Sequence, residues 1–83
     1  MDKLIIEIHS PAANLVHDIF VPGNMQIGEI TQLIGKLFAQ LSGGTFFFTG
    51  NCILSEKESG SVLDPNKIVK HTNLRNGSKL VLY

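Results

Sequence analysis

Apolar and polar residues alternate at the start of the chain. In residues 3–9 (KLIIEIH), Leu4, Ile6 and Ile8 share one side, and Lys3, Ile5, Glu7 and His9 share the other. Successive side chains of a β-strand point to opposite faces, so this stretch predicts a half-buried strand. Residues 10–14 (SPAAN) are turn formers. Residues 15–21 (LVHDIFV) predict a second strand, the hairpin partner of the first, with Leu15, Ile19 and Val21 on one face. His17 interrupts that face, and Pro22-Gly23 end the strand. From Ile27 the period lengthens. Ile27, Ile30, Leu33, Ile34, Leu37, Phe38 and Leu41 recur at steps of three and four, the stripe of an amphipathic helix. Glu29, Thr31, Gln32, Lys36 and Gln40 take its other side. Glu29 suits the positive end of the helix dipole. Gly28 and Gly35 each weaken the helix by up to about 1 kcal/mol relative to Ala, so packing must hold it. Gly43-Gly44 supply a left-handed stop.

Residues 45–49 (TFFFT) predict a third strand, with Phe46 and Phe48 toward the helix and Phe47 on the opposite face. Gly50-Asn51 reads as a turn and Cys52-Ile53-Leu54 as a short fourth strand. Residues 55–61 (SEKESGS) form a polar loop. Asp64 and Pro65 resemble the N-cap and first residue of a short helix, anchored by Ile68 and Val69. Asn73 would take a left-handed conformation at its end. Asn76-Gly77 signals a tight turn. Residues 79–83 (KLVLY) are the last strand, with Leu80 and Leu82 facing one way and Val81 and Tyr83 the other. This order predicts an α+β fold, the β-grasp. Its mixed sheet of four to five strands, in the order 2-1-5-3-4, packs on one main helix. Residues 1–83 form a single domain, the most that this length supports.

Charge and composition narrow the function. Seven basic and seven acidic residues cancel, and the lysines are scattered. A nucleic-acid binder shows a clustered basic face, so no nucleic-acid partner is expected. Near-neutrality also removes one defence against self-association, and a homodimer is compatible with it. Cys52 is the single cysteine, which excludes an internal disulfide and fits a reducing cytoplasm. The N-terminal apolar run is too short for a signal peptide. No run approaches the roughly 18 apolar residues of a membrane span.

Two stretches carry a family resemblance. Asp18-Ile19-Phe20-Val21-Pro22, followed by Ile27, Glu29 and Ile30, resembles the Asp-Leu-x-Leu-Pro and Val-x-Glu-Leu pattern of the small ubiquitin-like proteins of bacterial type VII secretion, the YukD/EsaB family. Leu63-Asp64-Pro65, then Val69, then residues 74–82 (LRNGSKLVL), resembles that family's Leu-Asp-Pro turn and Leu-x-Asp-Gly-x-x-Leu hairpin. Asn76 stands for the usual Asp, Asn73 for a Gly and His17 for an aliphatic residue. The resemblance implies a ubiquitin-like, non-enzymatic accessory protein of a type VII secretion system. It would bind membrane-anchored components, the FtsK-type ATPase or the pseudokinase-like component, from the cytoplasmic side.

The residues themselves offer little chemistry. A conjugated modifier or sulfur carrier needs a flexible Gly-Gly tail, and the expectation from Leu82-Tyr83 is that none follows. A β-grasp ferredoxin needs four cysteines. His9, His17 and His71 lack close ligand spacing, and Cys52 reads as a small half-buried residue. Neither a metal nor another cofactor is expected. What remains is the sheet face opposite the helix. Alternation places Ile5, Phe20, Phe47, Val81 and Tyr83 there, a candidate protein-binding surface, since aligned exposed apolar residues mark contact sites. Binding would use this face or an edge strand. The alternatives are a generic ubiquitin-like adaptor and a modifier or sulfur carrier without its tail.

Overall fold

A computed structural model describes residues 3–44 and 50–83. The alternating segments form β1 (Lys3–Ser10) and β2 (Leu15–Pro22), an antiparallel hairpin. Its register pairs Leu4 with Val21, Ile6 with Ile19 and Ile8 with His17, so the predicted inward residues of both strands share a face. The connecting turn closes through a hydrogen bond donated by the Ala13 N–H to Ser10 Oγ (3.2 Å), and Asn14 takes a left-handed φ of 53°.

The helix α1 (Ile27–Leu41) lies on that face. No side chain caps its N-terminus. The N–H groups of Ile27 and Gly28 instead donate to the carbonyls of Lys67 and Pro65 at 2.8 and 2.9 Å. A helix leaves its first N–H groups without internal partners, and the loop after residue 63 supplies them. Gly28 permits this approach: a Cβ there would stand 3.1 Å from the Pro65 carbonyl oxygen. The stop at Gly43 is left-handed as expected, with φ 65°.

The last strand, β4 (Lys79–Leu82), lies parallel to β1 and antiparallel to β3 (Leu54–Glu56). The sheet order is β2-β1-β4-β3. With one helix across one face, this is the β-grasp, a ubiquitin-like fold. Ile6, Ile8, Val21, Leu80 and Leu82 from the sheet meet Ile27, Ile30, Ile34 and Phe38 from α1, and Leu54 and Val69 close the core.

Several expectations change. The third strand expected at residues 45–49, including Phe47, lies outside the described residues. The described strand beside β4 is β3, and Val62 bridges to Ser55 on β3's outer side. Asp64 opens a turn rather than a helix. Its Oδ1 accepts from the Asn66 N–H (2.9 Å), but the chain is extended again at Ile68, where it bridges to Gln26. The short 3-10 helix is Val69–His71, and Asn73 is not left-handed. On α1 the buried stripe is narrower than the spacing predicts. Thr31 is buried, its hydroxyl donating to the Ile27 carbonyl at 2.8 Å, whereas Leu33 and Leu41 are exposed.

Candidate functional site

The face of the sheet away from α1 is ordered by the strand register. One row runs Phe20–Ile5, the next Asp18–Glu7–Lys79, and the third Val16–His9–Val81–Ser55. Beyond them Ile53 and Tyr83 exchange both backbone hydrogen bonds, 3.1 and 2.9 Å, and so extend the pairing of β3 with β4. Ile5 is tied to the turn before β4, its N–H donating to Asn76 Oδ1 at 2.9 Å.

The five residues predicted for this surface do not form one patch. Ile5 and Phe20 are direct cross-strand partners, and Phe20 is 69% exposed. Tyr83 is 61% exposed at the opposite end. Four residues of strand, about 13 Å at 3.3 Å per residue, separate Ile5 from His9, the partner of Val81. Between the two ends lies the charged row. Phe47 is outside the described residues. The expectation that Val81 is exposed is corrected. It is only 8% exposed, because β4 is a central strand and Val81 has His9 on one side and Ser55 on the other. Exposed apolar residues at that end are instead Val16, Ile53 and Val62, beside Tyr83. Val16 was legible, since it has the same parity as Phe20 on β2. Ile53 and Val62 were not, because their position depends on which segment pairs with β4.

The charged row has its own order. Glu7 Oε2 lies 2.5 Å from His9 Nε2, two residues along the same face. This hydrogen bond holds the Glu7 carboxyl below its ordinary range; burial opposes the shift, and the charges of His9, Lys79 and Lys57 add to it. His9 is thus an outward strand residue, oriented by a carboxylate. Asp18, directly across from Glu7, places a second carboxylate in the row.

Catalytic arrangements are not assembled among the described residues. Burial pushes the Cys52 thiol above its ordinary pKa, which keeps it protonated and weakly nucleophilic. His17 Nδ1 lies 3.0 Å from the Asp18 carbonyl oxygen, and His71 is exposed on the 3-10 helix. No group of three or more His, Cys, Asp or Glu among the described residues could hold a metal ion. A recess of about 240 Å³ below the Asn76-Gly77 turn is lined by Glu56, Glu58, Ser78 and Lys79, with neither His nor Cys. No described helix is long and apolar enough to cross a membrane.

No protein-family model matches the sequence, and no curated protein matches it. Solved structures do resemble the fold. The ubiquitin-like domain of the Mycobacterium tuberculosis type VII secretion system protein EccD1 superposes with a TM-score of 0.74 at 14% identity, over 99% of this chain and 98% of that one. A chain of the MycP5-free ESX-5 inner membrane complex gives a TM-score of 0.83 at 10% identity; all of this chain matches, spanning 21% of that chain. Caldiarchaeum subterraneum ubiquitin gives 0.71 at 16% identity, over 96% and 90%. At such identities the likeness establishes the fold alone.

Proposed function

We propose that this domain is a non-enzymatic ubiquitin-like adaptor serving a bacterial type VII secretion system, and that it binds a protein partner non-covalently through the open face of its sheet. The observation that carries the binding mode is the Phe20–Ile5 pair. A phenylalanine 69% exposed beside a half-buried isoleucine, on a face that no other element covers among the described residues, is apolar area that a partner can exclude from water. Val16, Ile53, Val62 and Tyr83 provide a second apolar end, and the row of Asp18, Glu7 and Lys79 between them provides polar register. Interfaces combine apolar anchors with polar surroundings in this way.

The assignment to secretion rests on the motif resemblance of residues 18–30 and 63–82, supported by likeness to the ubiquitin-like domain of EccD1 and to a chain of the ESX-5 inner membrane complex. The partner class is therefore a membrane-anchored component of that machinery, with recruitment from the cytoplasmic side. The test is co-purification of the tagged protein from cells that carry the secretion locus, with wild type and Phe20→Thr in parallel. Secretion components enriched by wild type and lost with the variant support the reading. Recovery of none, or equal recovery by both, overturns it.

A further inference from the structure

Among the described residues, one sheet edge is covered and the other is open. The outer side of β3 is occupied by the following loop: Glu56 N–H donates to the Ser61 carbonyl and Leu63 N–H to the Leu54 carbonyl, each at 2.9 Å. β2 is the opposite edge. The backbone directions follow from β1. Glu7 N–H donates to Ser78, and the Ile5 carbonyl accepts from Gly77, so odd residues of β1 bond toward β4 and even residues toward β2. The antiparallel register then turns the odd residues of β2 inward to β1. Val16, Asp18 and Phe20 direct their N–H and C=O groups outward. Among these six groups, the Asp18 carbonyl alone has a described partner, the His17 ring.

The helix flank on this side is apolar. Leu33, Leu37 and Leu41 recur every fourth residue, forming one ridge of α1. Gly28 and Gln32 lie on the other flank, bonding to Pro65 and Gly50 on the β3 side. The leucine ridge therefore borders β2, whose Leu15 and Ile19 point to the same side of the sheet. Leu33 is 55% exposed. On the other face, Asp18 stands opposite a like charge, Glu7; a cation on a neighbouring strand would offset that repulsion.

We propose that the free edge of β2 takes up an extended segment of a partner protein as an additional strand, with a basic residue opposite Asp18 and aliphatic side chains on the helix side against Leu33 and Leu37. Outward N–H and C=O groups in a regular row are matched by another extended backbone. A second copy of this chain fits less well. Centred antiparallel pairing of two β2 strands with matching faces sets Asp18 against Asp18. His17 guards the edge by occupying one outward carbonyl, and an incoming strand shares or replaces that bond. The site adjoins the open-face surface and shares Asp18 with it, but it binds through the outward backbone of β2 and the helix side of the sheet.

The test uses an end-capped heptapeptide, Val-Thr-Val-Lys-Val-Thr-Val, its counterpart N-methylated at alternate positions, and a Lys-to-Glu version. On binding, the Val16, Asp18 and Phe20 amides should exchange about tenfold more slowly, and the Leu33 and Leu37 methyl resonances should shift. The N-methylated peptide should not bind, the glutamate version should bind about two- to fivefold more weakly, and Leu33→Asp should abolish binding while the fold is retained. Val16→Pro removes one outward donor without touching the β1 pairing and should weaken binding. Lack of binding at about 1 mM peptide, equal binding of the N-methylated peptide, or shifts confined to Ile5 and Tyr83 would overturn the proposal. So would a dimer in sedimentation that Val16→Pro dissociates, because a second copy would then hold the edge. Each of these results leaves the open-face reading separately testable by Phe20→Thr.

Discussion

Replacing Phe20 with Thr separates binding from folding at the most exposed large apolar residue of the proposed surface. An aromatic residue carries about 200 Å² of surface, and Phe20 is 69% exposed. About 60 Å² is thus buried on folding and about 140 Å² remains for a partner, at about 25 cal/mol per Å². Those areas set upper bounds of about 1.5 kcal/mol for folding and about 3.5 kcal/mol for binding. Threonine keeps the strand propensity and some of the contact, so the expected losses are about 1 kcal/mol in stability and about 2 kcal/mol in affinity. The second figure is the threshold of an interface hot spot and corresponds to a roughly 30-fold rise in Kd. Urea denaturation reads the first quantity, and isothermal titration calorimetry against the co-purified partner reads the second. A stability loss of about 3 kcal/mol or more would mark Phe20 as core, in conflict with its exposure. An unchanged Kd in a folded variant would remove it from the interface.

Phe38 is fully buried between α1 and the sheet; Phe38→Ala should cost about 3–5 kcal/mol in urea denaturation, a large share of the total stability of a domain this size. Asn76→Ala removes the acceptor for the Ile5 N–H and should cost about 1 kcal/mol, with faster amide exchange at Ile5 as its local sign. Glu7 has its carboxyl pKa lowered in the fold, first by the His9 hydrogen bond. Its contribution is therefore complete above the unfolded-state carboxylate pKa and is lost as pH falls through the lower folded value. In urea titrations across the acid range, Glu7→Gln should flatten that part of the stability profile; an identical acid limb in the variant would show that the pairing contributes nothing.

Much of the architecture was legible because local periodicity reports which side of an element is buried. The parity of β1, β2 and β4 follows from alternation, and the core face of α1 from three- and four-residue spacing. His17 breaks the pattern without breaking the strand, since β2 is an edge and the imidazole can stay exposed and bond Asp18. Asp64-Pro65 carries a helix-start signal, yet becomes a turn. The following residues are extended to bridge Gln26 and to cap α1, a long-range pairing that overrides the local preference.

What the chain settled by itself is parity: which side chains of a strand or helix can share a face, a consequence of backbone geometry that needs no neighbour. Adjacency came from the tertiary structure. Packing set β3 at residues 54–56 beside β4, buried Val81 between two strands, split the apolar residues of the open face by a charged row, and left β2 as the open edge among the described residues. Each of these outcomes depends on which distant segments meet, because burial and hydrogen-bond satisfaction are properties of the assembled sheet.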